Sequence, residues 1–267
     1  MKKIASFLFV FFCVTATTFA QEQTTITRFE GKKITGIISH GAFDITITQG
    51  TSTKATVNIP ARLESKLKFS LDSDGILSIY MQGRMHHEKN DRYTAEIVCS
   101  SLKKIELSGA CKINATGNFT SRIFNVNLSG AAKTNFEGKL TIQEKAKIDL
   151  SGASLVKGYI TSPEIFIEQS GASSITFSGK TTRCEVEASG ASKTNLEKFP
   201  IDILKAEISG ASKAQFLVNK EISVHASGAS KITYIGNPEI ITQESSGASK
   251  INKVVKKPSE INKEYQK

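Results

Sequence analysis

Ser151-Gly152-Ala153-Ser154, Ser170-Gly171-Ala172-Ser173 and Ser189-Gly190-Ala191-Ser192 are three copies of one short phrase. Its core, Ser-Gly-Ala, begins at Ser108, Ser129, Ser151, Ser170, Ser189, Ser209, Ser227 and Ser246, at intervals of 21, 22, 19, 19, 20, 18 and 19 residues. Six of these eight copies continue into a second Ser. Self-similarity at such a period marks a repeat architecture, because a unit of ~20 residues cannot bury its apolar face alone and must stack on its neighbours.

Aligned on the first Ser, the copies form chemical columns. Three residues before it stand Ile105, Val126, Ile148, Ile167, Val186, Ala206, Val224 and Gln243; two before it stand Glu106, Asn127, Asp149, Glu168, Glu187, Glu207, His225 and Glu244. Four residues after it come Lys112, Lys133, Leu155, Ser174, Lys193, Lys213, Lys231 and Lys250. Five after it come Ile113, Thr134, Val156, Ile175, Thr194, Ala214, Ile232 and Ile251, and then Asn114, Asn135, Lys157, Thr176, Asn195, Gln215, Thr233 and Asn252. Apolar and polar columns alternate with the two-residue period of a strand. β-Branched residues fill the inward columns.

The expected fold is all-β: a right-handed parallel β-solenoid (β-helix) of ~20-residue coils, with handedness taken from the bias of parallel crossovers. Each coil rises one strand spacing, so seven steps give a rod roughly 34 Å long. Gly117, Gly138, Gly179 and Gly236, with Pro163, Pro200 and Pro238 close by, read as turns between two or three short strands per coil. Ser-Gly-Ala reads as architecture: Gly permits a close backbone approach or a corner, and the hydroxyls can bond up the stack. Eight equivalent serines without a partnered His do not describe a nucleophile.

Residues 21–100 lack the tripeptide but keep strand patterning, as in Phe43-Asp44-Ile45-Thr46-Ile47-Thr48-Gln49-Gly50. Ser73-Asp74-Gly75 between two apolar runs signals a hairpin. This section is expected to supply irregular first coils or a β-rich cap for the exposed end of the stack. Before it, Met1-Lys2-Lys3, an apolar run to Val14 and Thr18-Phe19-Ala20 read as a signal peptide over 1–20, leaving no integral membrane segment after cleavage. The solenoid is expected over 101–252, and a basic disordered tail over 253–267. Cys99, Cys111 and Cys184 then remain, an odd number without metal-ligand spacing. Buried free thiols are expected, with a Cys99–Cys111 bridge as the alternative.

The signal sequence, Gly41-Ala42-Phe43-Asp44-Ile45-Thr46-Ile47-Thr48-Gln49-Gly50, Gly75-Ile76-Leu77-Ser78-Ile79 and the serial Ser-Gly-Ala copies occur in this order. Together they resemble the bacterial head GIN domain family of auto-transporter adhesins, over roughly residues 26–252. The resemblance implies a β-helix-like fold and an exported, envelope-associated protein, in the periplasm or at the cell surface. It brings no catalytic residues.

The chain of 267 residues carries a formal net charge of +10, with 39% hydrophobic and 22% charged residues. That composition supports a folded core and excludes a polytopic membrane protein. The sharpest candidate site is the basic column Lys112, Lys133, Lys193, Lys213, Lys231 and Lys250. A row of cations at short intervals suits a sulfated, phosphorylated or uronate-containing polysaccharide, or another envelope component. The opposing reading is that these lysines keep a flat solenoid face soluble. Like charges in the acidic column call for lysines elsewhere on the coils or bound cations such as Ca²⁺. The nonapeptide of Ca²⁺-binding solenoids is absent. Met85-His86-His87-Glu88 reads as a polar loop, and neither a metal site nor a cofactor is assigned. Nucleic acid is not an expected partner, since the aromatics sit in inward columns. Enzymatic activity is not expected either, because the even intervals leave no room for cleft-building loops. The expected function is therefore a non-catalytic, adhesin-like binding or structural module of the envelope. The alternatives are a polysaccharide-active β-helix enzyme and a purely structural spacer.

Overall fold

The structure, a computed structural model, describes residues 22–83 and 91–255. The expected signal peptide, the Met85–Glu88 loop and most of the basic tail lie outside those residues. The first half supplies β1 (Gln23–Arg28), β2 (Gly36–Gly41), β3 (Asp44–Gln49) and β4 (Lys54–Pro60), then a 3₁₀ turn at Ala61–Lys66. It continues with β5 (Leu67–Leu71), β6 (Ile76–Met81) and β7 (Thr94–Cys99). Next come β8 (Lys104–Gly109), β9 (Lys112–Thr116), β10 (Phe119–Leu128), β11 (Lys133–Leu150), β12 (Leu155–Gln169) and β13 (Ser174–Ala188). The last are β14 (Lys193–Ile208), β15 (Lys213–Ala226), β16 (Lys231–Ile235), β17 (Glu239–Ser245) and β18 (Lys250–Val254).

These strands stack as a β-solenoid with the columns in register. On the face that precedes each Ser-Gly-Ala turn, Ile105, Val126, Ile148, Ile167, Val186, Ala206 and Val224 are successive partners. On the face that follows it, Ile113, Thr134, Val156, Ile175, Thr194, Ala214 and Ile232 are partners in the same way. Both columns point inward and are buried, part of one core that runs unbroken from Ile34 to Tyr234. Each fully buried aliphatic side chain contributes roughly 1.5–3 kcal/mol relative to exposure. The stack is thus held by the same contact repeated along its axis.

The coils are simpler than the glycines and prolines suggest. From β11 to β15 a coil is one long strand bent at irregularities in register, such as those between Asn135 and Lys139 or Leu196 and Pro200. Gly138, Gly179, Pro163 and Pro200, expected to separate short strands, lie inside these long ones. The glycines take φ of +139° and +116°, so the chain bends there and pairing resumes beyond the bend. Only Gly117, Gly236 and Pro238 fall between strands.

The Ser-Gly-Ala turn explains itself at the level of single atoms. Its Gly adopts φ near +70°, for example +67° at Gly152 and +74° at Gly190. Each Ala N–H donates to the Gly carbonyl of the coil before, as from Ala172 to Gly152 at 2.7 Å and from Ala211 to Gly190 at 2.7 Å. A Cβ on Gly190 would stand 2.6 Å from the Gly171 oxygen. Only glycine fits both the φ and the approach. The expected hydroxyl ladder is present in part, and mostly in the second Ser of the phrase. Ser192 donates to Ser212 at 3.0 Å and Ser212 to the Gly190 carbonyl at 3.4 Å, while the Ser154 hydroxyl has no partner among the described residues.

Stacking order departs from chain order in the first half. β2 and β3 lie between β6–β7 on one side and β8–β9 on the other, all parallel. Gly41 pairs with Gly109, so His40-Gly41-Ala42 is a disguised ninth turn at the base of the glycine row. Beyond β6 and β7 the sheet continues antiparallel through β5, and through β4 and β1. β5 and β6 form the expected hairpin at Ser73-Asp74-Gly75. There the Asp72 carboxylate accepts the Asp74 and Ile76 N–H groups at 2.9 and 2.8 Å. The Arg28 guanidinium covers the Phe69 ring at 5.7 Å, and Phe29 packs on its edge. This end of the rod is closed.

At the other end β18 runs to Val254, two residues past the expected limit at 252. Cys99, Cys111 and Cys184 are free and buried, so no Cys99–Cys111 bridge exists. Burial pushes the Cys99 thiol up to about 12, and raises Cys111 and Cys184 as well.

Candidate functional site

Because each turn joins two faces, the residue two before the first Ser and the residue four after it look outward on opposite sides of one ridge. The in-register stack turns each position into a row. One row is acidic and the other basic, and the ridge of Ser-Gly-Ala turns runs between them.

The basic row holds all six lysines expected to form it, every one exposed. Lys112 pairs with Lys133, Leu155 and Ser174 interrupt, and Lys193, Lys213, Lys231 and Lys250 then follow as consecutive partners. At the closed end the row passes to Asp44, opposite Lys112. Among the described residues none of these six lysines has a carboxylate within 4.0 Å. Beside them on the same face runs a row of amides and hydroxyls that includes Asn195, Gln215, Thr233 and Asn252. Its members also bond along the axis, as where the Asn135 amide donates to Asn114 at 2.7 Å.

The acidic row lines a groove of about 960 Å³ that extends from Asn127 to Glu244, floored by the turn serines. This concavity was not expected from the sequence, which shows the acids only as a column of like charges. Unlike the lysines, these acids are partly neutralised within their own face. Lys147 reaches Glu168 at 3.1 Å and Asp149 at 3.5 Å; Lys205 reaches Glu185 at 2.7 Å and Glu207 at 3.8 Å. His225, which replaces an acid in the row, touches Glu244 at 3.1 Å. Partial burial holds the Asp149 carboxyl above its ordinary range, against the pull of Lys147. Among the described residues no three His, Cys, Asp or Glu side chains are grouped to hold a metal ion.

A repeat of this regularity, with a degenerate turn at Gly41 and an antiparallel cap, can be compared with known proteins. A family profile described as "Putative auto-transporter adhesin, head GIN domain" matches residues 33–238. The chain belongs to the head GIN domain family. The crystal structure of "a putative adhesin from Parabacteroides merdae ATCC 43184" superposes on this head GIN domain with a TM-score of 0.78 at 14% identity. The match covers 88% of this chain and 97% of that one. A "putative adhesin from Parabacteroides distasonis ATCC 8503" gives 0.77 at 13% identity, covering 88% and 98%. A "putative lipid binding protein" from the same strain gives 0.69 at 16%, again over 88% and 98%. These likenesses show that the fold is shared. None of the curated proteins matches this head GIN domain chain. No helix among the described residues is long and apolar enough to cross a membrane.

Proposed function

We propose that the chain is an exported, non-catalytic binding module of the cell envelope that holds an anionic polysaccharide along its lysine row. The observation that carries this reading is the run Lys193, Lys213, Lys231 and Lys250: four exposed cations in register without a carboxylate partner among the described residues. At one strand spacing of ~4.8 Å per step, the run spans roughly 14 Å of axis. The amides and hydroxyls of Asn195, Gln215, Thr233 and Asn252 lie alongside to accept and donate hydrogen bonds to sugar hydroxyls. The strands hold these cations at a set spacing along the axis, so that only the lysine side chains must be ordered when a polyanion binds.

The family's description as adhesins supports export and binding rather than turnover. So does the arrangement of the carboxylates. Glycoside hydrolysis needs an acid and a base that flank one bond from two sides. Here the groove acids project from one face in a single file.

The test uses heparin and polygalacturonate as sulfated and uronate probes, with neutral dextran as control. Binding should occur at low salt, fall steeply as salt rises, and weaken roughly tenfold or more when Lys193, Lys213 and Lys231 are all changed to Gln. Glu168, Glu187 and Glu207 changed to Gln should leave it intact. Binding that ignores salt, or survives the lysine triple change, sinks the proposal. Shortening of either probe by the purified chain would establish an enzyme instead. Recovery of the protein in the cytoplasmic fraction would overturn export.

A further inference from the structure

The two ends of the rod differ. At the closed end, antiparallel strands and the Arg28–Phe69 contact cover the core. At the other end β17 pairs only with β15, and β18 only with β16, so among the described residues both outer strand edges are unpaired. The core is open there too. Ile240 continues the column of the fully buried Ile222, yet is itself 52% exposed; Ile241 is 55% and Val254 38% exposed. An open edge beside exposed aliphatics is a template for another strand.

The charges say which strand. β17 carries Glu239 and Glu244 and no base, whereas β18 carries Lys250 and Lys253 and no acid. The chain runs toward the turn in β17 and away from it in β18. A second copy, related by a two-fold axis through the turn at Gly247, therefore lays its β18 antiparallel on β17 of the first, and its β17 on β18. We infer that the open end docks a second copy of this chain in that way, closing both cores at once. The register centred on Gly247 puts Glu244 of each copy opposite Lys250 of the other, with the exposed Ile240, Ile241 and Val254 farther along the same two strands. Each such match occurs twice, as a two-fold interface requires. Two like strands face to face would instead place acid on acid and base on base. Glu244 is free to take this role, because its contact with His225 leaves its side chain 70% exposed.

The experiment is sedimentation and light scattering of the purified chain across a wide concentration range. A discrete dimer is expected. Glu244→Lys makes the end basic at both positions and Lys250→Glu makes it acidic at both. Each alone should raise the dimer dissociation constant about tenfold or more, since opposed pairs become like-charged at two places. Mixing the two single variants should restore a dimer made of one of each, because every pair is then opposite again. All these positions are exposed, and unchanged thermal unfolding of each variant checks that folding is intact. A monomer at every concentration overturns the inference. If removal of residues 256–267 then releases dimerisation, that segment is the natural cover of the end, and the inference falls for the intact chain. Open-ended polymers overturn it as well, because they require the closed end to take part. Failure of the mixture to associate refutes the two-fold register. Lys250 is left unchanged in the polysaccharide test, so neither outcome decides the other.

Discussion

Gly190→Ala tests whether the glycine row exists for its backbone conformation or for the closeness of the turns. Two costs are added there. The first is the left-handed backbone, since Ala at φ of +74° loses roughly 1–2 kcal/mol. The second is steric. The new Cβ would lie 2.6 Å from the Gly171 oxygen and 2.9 Å from its nitrogen, both backbone atoms that cannot swing aside. The turns are pinned on both sides, by Ala191 N–H to Gly171 at 2.8 Å and by Ala211 N–H to Gly190 at 2.7 Å. Relief must stretch one of these bonds or strain the coil, at about 1–3 kcal/mol for overpacking. The total is about 2–5 kcal/mol. Gly31→Ala separates the two costs, because Gly31 has a φ of +68° but nothing within 4 Å of its would-be Cβ. It should lose only the first, about 1–2 kcal/mol. Urea unfolding followed by circular dichroism compares the variants with the parent. Equal losses at Gly190 and Gly31 would refute the close-approach explanation and leave φ as the whole reason for the row.

The second Ser of the phrase divides the same way. Ser212→Ala should cost about 1–2 kcal/mol, since it strands the buried Ser192 hydroxyl that donates to it. Ser154→Ala removes a buried hydroxyl that has no partner among the described residues, and should leave stability unchanged or raise it by up to about 1 kcal/mol; a loss as large as that at Ser212 would contradict this. The thiols give a pH dependence. Their folded pKa values lie above the unfolded value, so their contribution is complete below about pH 8.5 and is lost as pH rises toward the folded value, which is about 12 for Cys99. Each thiol steepens the loss by about 1.4 kcal/mol per pH unit in that window. Removing one in Cys184→Ala should therefore shrink the stability difference between pH 8 and pH 10 by about 2 kcal/mol. An unchanged difference, measured by urea unfolding at both pH values, would show that Cys184 ionises in the folded chain.

What could be read in advance follows from how local each signal is. The columns were legible because a parallel in-register stack copies one position into a row, so Ile148 and Ile167 declare the same burial by the same offset. The long strands were not, because Gly138 and Gly179 carry the same letters whether a turn ends a strand or a bulge bends it. His40-Gly41-Ala42 was missed as a turn because every variable place had changed. His stands for the first Ser, Phe43 for the second, and Asp44 for Lys. Its surviving signal was Gly41-Ala42 with apolar Ile37 and Ile45 at the proper offsets. The position of β2–β3 between later strands had no local signal, being fixed by pairings such as Ile37 with Leu77 across forty residues. The groove was invisible for a related reason. Concavity depends on how the acidic face meets the ridge of turns, and no single column contains that.

The same register that makes the rows legible also makes them electrostatically expensive, and the two rows meet that cost differently. A parallel stack repeats every outward charge at ~4.8 Å, where two unit charges in water repel by nearly 1 kcal/mol before side chains splay and salt screens them. Along the acidic row the repulsion is relieved internally. Lys147 touches Asp149 and Glu168, Lys205 touches Glu207, and His225 interrupts the file beside Glu244. Among the described residues the run from Lys193 to Lys250 meets no carboxylate within 4.0 Å, although Leu155 and Ser174 show that the position tolerates uncharged residues. Repulsion left in a rigid row is lowered by whatever anion spans several lysines at once, so binding there and stability of the stack are linked quantities. An extended polyanion satisfies this better than separate small anions, because its charges arrive already joined and the entropy of assembling them is lost only once. On the proposed reading, then, several lysines held at a common spacing favour one long anion over many short ones.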